Sequence, residues 1–446
     1  MDPRATYRVQ LGAGLGFDGA AELAPYLERL GVSHLYASPC LQAAAGSTHG
    51  YDVVDHSRLS EDLGGERAFA RLTAALRRAG LGLVLDVVPN HMARDGRANR
   101  WWWDVLENGP ASPFAPFFDV DWTAGGARGA SRVLVPVLEE RLGSVLVAGD
   151  VSLRREGGSF VAAYGATELP LSPTSVAPLL SGAALAAGSP KLGELAASLG
   201  TLADVDAVAP DLVAERHEEQ GRLVSDLAAI CDAEEAVALA IDAALARVAA
   251  DPHALDALLQ GQHYRLAHHR VAEEELDYRR FLNIGELVAL RVESPRVFDA
   301  VHELVVDLVR RGEVQGLRVD HVDGLLDPEG YLRRLRDAAP DAYLVVEKVL
   351  ADAEPVRTSW PVDGTTGYDF LAVANGLFVQ PDSEAAFLEL YEEFLGEAVR
   401  YPEVLHTAKL EVVAREFSSE LERLVSALAE ACDRCLEQRD RTRGDL

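Results

Sequence analysis

The sequence predicts an α/β protein on a parallel barrel of the (β/α)8 TIM type, incomplete at about six strands and carrying large helical insertions. Three observations carry this. Short apolar runs alternate with helical patterns through the first ninety residues and again after about residue 311, the rhythm of a parallel α/β sheet. Polar clusters follow the C-terminal ends of these runs, where the active sites of such barrels lie. A doubly wound open sheet is the alternative, but no Gly-rich phosphate loop follows the first run.

The elements follow in order. Residues 6–11 form a short strand candidate. Residues 17–31 read as a helix, with Leu23, Tyr26, Leu27 and Leu30 at helical spacing and Gly31 to stop it. Residues 33–38 are a second strand. Residues 66–80 are a helix with Phe69, Leu72 and Leu76 on one face. Residues 81–88 (LGLVLDVV) are a buried strand interrupted by one acid. The rhythm then breaks. Residues 92 to about 135 carry Trp101, Trp102, Trp103, Phe114, Phe117, Phe118 and Trp122 among prolines. Residues 150–180 read as irregular or β, and 180–310 as mainly helical. Strands resume at 314–319, 344–347 and roughly 366–371, with a helix over 327–339 between the first two. Residues 383–440 are again helical. The expected organisation is 1–91 with barrel strands one to three, 92–150 as an aromatic and proline-rich insertion, 151–310 as a mainly helical insertion, 311–380 with strands four to six, and 381–446 as a helical segment of a truncated insertion.

Composition bounds the rest. The chain has 446 residues with 48% hydrophobic and 25% charged, ordinary for a globular protein able to bury a core. Its net charge of -29 argues against nucleic acid or an anionic membrane as partner. No signal peptide opens the chain and no apolar run reaches 18 residues, so a cytoplasmic location is expected. The cysteines at 40, 231, 432 and 435 are scattered, which fits a reducing compartment. Cys432 and Cys435 form a CxxC without a second pair, a weak signal for metal or redox use.

Four polar clusters lie at strand ends: Gly46–Asp52 (GSTHGYD), Asp86–His91 (DVVPNH), Gly316–His321 (GLRVDH) and Glu347–Lys348. Asp320 and Glu347 end apolar strands joined by one helix. Neighbouring parallel strands lie about 4.8 Å apart, so the two carboxyls can approach the ~5–5.5 Å of a retaining glycosidase. Arg318, two residues before Asp320, points to the same side. It is expected to keep Asp320 ionised as a nucleophile, while Glu347 needs a raised pKa to act as an acid. An Arg–Asp pair serving barrel stability alone is the other reading.

The motifs DVVPNH, GLRVDH and the Glu347 strand resemble three of the four short motifs of glycoside hydrolase family 13, the α-amylase superfamily. TYRVQL at 6–11, LYASPCLQAAAGSTHGYDVVD at 35–55, QHYRLA at 262–267, YRRFLNIGELVALRVE at 278–293, RVDHVDGL at 318–325 and TTGYDF at 365–370 narrow the resemblance to the maltooligosyl trehalose synthases, over nearly the whole chain. The resemblance implies Asp320 as nucleophile and Glu347 as acid/base. It implies Arg318, His91, Tyr51, Asp52, His49, Asn90 and His321 as substrate-binding residues. No metal or other cofactor is implied. It also implies a maltooligosaccharide substrate and, as a functional partner, a maltooligosyl trehalose trehalohydrolase.

The insertion segments 262–267 and 278–293 are read either as packed helices or as walls enclosing the substrate end. His268 and His269 depart from the aromatic pattern expected there. The Trp101–Trp103 run reads as a sugar platform or as the core of a small subdomain. The family's third carboxylate has no counterpart after Asp369, and the last two barrel strands are missing, so the chain is expected to be truncated relative to the family. The implied reaction is an intramolecular glucosyl transfer that turns the reducing-end α-1,4 linkage into α-1,1. An α-glucan hydrolase and a catalytically incomplete glucan-binding chain are the alternatives.

Overall fold

The computed structural model describes residues 3–122, 132–203, 210–351, 354–436, 438–439 and 441–445. Parts of two expected insertions, at 123–131 and 204–209, lie outside the described residues. The chain divides into two compact units. The first comprises Met1–Ala93, Phe281–Asn283 and Leu290–Phe417. The second comprises Arg94–Arg280, Ile284–Ala289 and Ser418–Leu446.

The first unit is built on one sheet of six strands, β1 (Thr6–Val9), β2 (His34–Ala37), β3 (Gly82–Val87), β4 (Gly316–Val319), β5 (Tyr343–Val346) and β6 (Gly364–Thr365), in that spatial order. Every pairing is parallel. This is the curled part-barrel that the sequence predicts. Central β3 and β4 are buried at every residue, as strands covered on both faces must be. β1, at one edge, is exposed at Thr6, Tyr7 and Arg8. A glycine is required at the start of β3, because a Cβ on Gly82 would lie 2.3 Å from Cδ2 of buried His34.

Helices cover the sheet through apolar stripes. α1 (Phe17–Glu22) meets α3 (Gly65–Arg78) through the rings of Phe17 and Phe69, 5.3 Å apart and edge to face. Residues 17–31 are two helices and not the single one expected. Pro25 sits in the first turn of α2 (Ala24–Leu30), where its missing N–H costs nothing, and the first helix has already ended at Glu22. Before β4, α4 (Pro295–Arg310) buries Val297, Phe298, Val301, Val305, Val306 and Leu308, at about 1.5–3 kcal/mol per fully buried side chain. α5 (Pro328–Ala338) is capped by Asp327, whose carboxylate accepts the Gly330 N–H at 2.9 Å. His302 of α4 and Tyr331 of α5 share a buried 2.8 Å hydrogen bond.

The sixth strand is shorter than expected and lies earlier. Only Gly364 and Thr365 pair with β5, and α6 (Tyr368–Gly376) occupies the run read as strand 366–371. Gly367, at φ 100°, turns the chain out of the sheet. Period alone does not separate a short apolar run in a helix from one in a strand.

In the second unit, Trp102 is fully buried, packed edge to face on Phe118 and Tyr278. Trp102 is therefore core, and Trp101 stacks on Phe114 at 5.8 Å. The strands Val151–Glu156, Ser159–Tyr164 and Thr167–Pro170 form an antiparallel sheet, and helices from Pro173–Ala187 to Pro252–Gln260 follow. The QHYRLA segment is not helical. Tyr264–His268 is a strand paired in parallel with Val133–Leu138. Tyr264 is buried and Arg265 is not, a period of two that its helical surroundings obscured. Residues 278–293 contain no helix either.

Candidate active site

The site lies at the C-terminal ends of β3, β4 and β5. Arg318 and Asp86 are Cα partners across β3 and β4, so their side chains share one side of the sheet, and Asp320, two residues on, returns to that side. Glu347 follows β5, and its N–H donates to the Val319 carbonyl at 2.8 Å.

These placements converge on one guanidinium. Arg318 Nη1 donates to Asp86 Oδ1 at 2.7 Å and to Asp320 Oδ1 at 2.5 Å, while Nη2 lies 3.0 Å from Glu347 Oε1. The Arg318, Asp86 and Asp320 side chains are buried, and Glu347 is 27% exposed. The second oxygen of Asp86 accepts hydrogen bonds from Tyr51 at 2.6 Å and Tyr36 at 3.1 Å. Burial, then the charge of Asp86, raises the pKa of both tyrosines, so they stay donors. Arg8 of β1 donates to the Tyr51 hydroxyl at 3.1 Å and lies over the Tyr36 ring.

The electrostatics correct one expectation. Arg318 was to hold Asp320 ionised. Instead burial pushes the Asp320 carboxyl up to about 7; Arg318 pulls it down, and the charges of Asp86 and Glu347 push it up again. Asp86 is also raised, by burial above all. The reason is stoichiometric: three carboxylates face one guanidinium, so full ionisation leaves two uncompensated negative charges in a partly dry site. The proton that remains belongs to the coupled cluster rather than to one residue.

The other expected residues divide. His321 adopts the left-handed conformation, φ 48°, and its N–H donates to Glu347 Oε2 at 2.9 Å. Asn90 and His91 are each 1% exposed and adjoin the same mouth. The Asn90 amide lies 3.4 Å from His91 Nδ1, and the His91 ring packs against Phe281. The side chains of His49 and Asp52 make hydrogen bonds within the loop that carries Tyr51. Ser47 Oγ donates to Asp52, and His49 Nδ1 accepts the Tyr51 N–H at 3.1 Å. That bond requires a lone pair on Nδ1, so the 3.8 Å approach of His49 to Asp52 is not an ion pair. Lys348 turns away from Glu347 to Asp323 and Glu354.

Sequence reasoning placed Asp86 in a strand-end cluster but gave no individual role to Asp86, Tyr36, Arg8 or Phe281. Asp86 had a signal: an acid inside an otherwise apolar buried strand needs a partner. Arg8 and Tyr36 had none, because each sits in a strand whose neighbours the sequence does not name. Among the described residues, no group of three or more His, Cys, Asp or Glu side chains is placed to hold a metal.

Comparison with known proteins follows from this geometry. Residues 10–129 match the family model of the alpha-amylase catalytic domain. A Mycobacterium tuberculosis protein assigned as a maltooligosyl trehalose synthase is 36% identical over 434 residues, 96% of this chain and 45% of its own. The structure of maltooligosyltrehalose synthase from Arthrobacter ramosus superimposes on this chain with a TM-score of 0.72 at 33% identity, over 96% of this chain and 45% of that one. A hypothetical maltooligosyl trehalose synthase from Sulfolobus tokodaii gives 0.68 at 28% identity, over 96% and 46%. The chain thus spans about half the length of the relatives it matches.

Proposed function

We propose that this chain carries the glucosyl-transfer chemistry of a maltooligosyl trehalose synthase, isomerising the reducing-end α-1,4 linkage of a maltodextrin to α-1,1. The observation that carries this reading is that Asp320 and Glu347, at the ends of adjacent strands, are both bound by the guanidinium of Arg318. Two carboxyls held by one guanidinium support a reading in which they act together on one scissile bond, one as nucleophile and one as acid.

Asp320 attacks the anomeric carbon of the penultimate glucose while Glu347 protonates the linking oxygen. The linking bond breaks, leaving a glycosyl–Asp320 ester and a free glucose. That glucose turns, and its anomeric hydroxyl attacks the anomeric carbon held in the ester. The ester bond breaks back onto Asp320, and the hydroxyl proton returns to Glu347. Sugar displaces water as it binds, and the carboxyl that meets the leaving oxygen donates the proton. Arg318 neutralises Asp320 as it ionises, and Asp86 holds Arg318 in place. Tyr51, ordered by His49 and Asp52 in its loop, offers a ring to the donor sugar. Asn90, His91 and His321 border the same space. The net charge of -29 is compatible with a neutral oligosaccharide.

Reaction with the leaving glucose must outrun reaction with water at about 55 M, and well-oriented acceptors reach effective molarities of ~10⁵ M or more. Its product is suited to a hydrolase that removes trehalose, such as a maltooligosyl trehalose trehalohydrolase, and the setting is cytoplasmic. Incubation with maltopentaose, followed by NMR, tests the reading. Reducing ends disappear without shorter sugars under isomerisation. Accumulation of shorter maltodextrins identifies a hydrolase instead, and binding without turnover a glucan-binding chain.

A further inference from the structure

The segment Phe281–Asn283 packs with the barrel unit, although it follows the helical insertion in sequence. Leu282 holds φ 51°, a conformation that residues other than glycine rarely adopt. Asn283 donates to Glu416 at 2.9 Å. These features present the Phe281 ring to the site. Its centroid lies 4.6 Å from the His91 ring and 4.7 Å from the His321 ring, edge-on to the latter at 77°.

The wall so formed has little freedom to move. His321 is tied to Glu347 through its backbone N–H. Gly324 leaves no space behind it: a Cβ there would lie 2.3 Å from Cδ2 of His321 and 3.0 Å from Asn90 Oδ1. Glu347, as the acid, must touch the oxygen that links donor and leaving glucose. The groups packed about His321 therefore border the leaving glucose, and Phe281 brings an apolar ring to them. An aromatic face covers the C–H surface of a sugar and occupies space that water would otherwise fill.

We propose that Phe281 is a specificity-determining residue, setting how much of the glycosyl–Asp320 ester is captured by the leaving glucose and how much by water. The inference rests on the glucosyl-transfer reading above. In both outcomes the ester bond breaks onto the Asp320 carboxylate and the acceptor proton passes to Glu347. The two differ only in whether the new C–O bond is made by the glucose anomeric hydroxyl or by water.

The test compares wild type with Phe281→Tyr, Phe281→Leu and Phe281→Ala in the full chain. Folding is checked by thermal melting, and NMR follows both α-1,1-ended product and new reducing ends from maltopentaose. Phe281→Ala shifts the product ratio towards hydrolysis about tenfold, the scale of one lost aromatic contact. Phe281→Leu falls between, Phe281→Tyr stays within about twofold, and the pH profile does not move, since the ring carries no proton. Turnover that falls with an unchanged ratio, restored as well by Leu as by Tyr, overturns the proposal and leaves a packing residue. If wild type yields only shorter maltodextrins, the transfer reading itself fails, and the inference with it. If wild type turns nothing over, calorimetric affinity for maltopentaose decides: about tenfold weaker binding by Phe281→Ala supports the contact, and equal binding overturns it.

Discussion

Arg318 shows how one residue can serve both fold and chemistry. Its guanidinium is buried and answers three carboxylates from three strand ends. Lysine offers one charge without the planar fork, so Arg318→Lys is expected to lose most activity while remaining folded. Arg318→Met leaves the carboxylates unpaired and costs about 3–5 kcal/mol in urea denaturation, the scale for breaking a buried pair. Asp320→Asn should reduce transfer at least ~10³-fold in single-turnover assays. Its effect on stability has the opposite sign and depends on pH. The folded carboxyl titrates at about 7, above the ordinary value of 3.8. Below about pH 4 both states hold the proton and nothing is lost; between about 4 and 7 the unfolded chain is ionised while the folded one resists, and above about 7 the loss is complete. Asp320→Asn therefore stabilises the chain at pH 8 and much less at pH 4, read from denaturation midpoints at the two pH values. A midpoint shift of equal size at both would refute the burial argument.

Elements transmit these demands. β3, β4 and β5 place Asp86, Arg318, Asp320 and Glu347 by register alone, since paired positions share a face. The helices fix that register from outside. His302 on α4 uses both ring nitrogens: Nδ1 donates to the Phe298 carbonyl and Nε2 pairs with the Tyr331 hydroxyl, each at 2.8 Å. Tyr331→Phe removes one partner from a buried imidazole and is expected to cost about 1–3 kcal/mol in chemical denaturation, with little change in the chemistry of the folded fraction. Gly324→Ala is the converse case. The turn it occupies touches His321 and Asn90 rather than the sheet core, so activity should fall while the melting temperature changes by only a few degrees.

At the scale of the molecule, exposed apolar surface dominates. Phe370, Phe378, Phe387 and Phe394 are between 70% and 90% exposed, and the helices Glu384–Leu395 and Tyr401–Glu416 bury none of their described residues. The six-stranded sheet also keeps two open edges, where a closed barrel has eight strands and none. Patches of this kind drive association. The charge of -29 opposes it, through repulsion that salt screens within about 8 Å at physiological ionic strength. Sedimentation velocity is therefore expected to show association that grows with salt. Phe378→Glu together with Phe394→Glu should reduce it, and a salt-independent monomer would refute the expectation. No helix among the described residues is long and apolar enough to cross a membrane.

The sequence by itself determined the parallel α/β class, five of the strand positions and the pair Asp320 and Glu347, because local patterns encode these. An apolar run ending in an acid reads as a barrel strand whatever lies beside it, and the strand–helix–strand spacing makes 316–319 and 343–346 neighbours. It misplaced the sixth strand and the QHYRLA strand, where runs are too short for their period to decide and the surrounding residues favour helices. Only the tertiary structure decided that Asp86 and Glu347 share Arg318 with Asp320, and that Phe281 reaches the imidazoles of His91 and His321, 190 and 40 positions away. Only it showed that burial and two neighbouring carboxylates oppose the pull of Arg318 on Asp320. The physical reason is that a pKa and a contact depend on everything within a few ångströms, and those neighbours are fixed by sheet order and chain return rather than by adjacency along the chain.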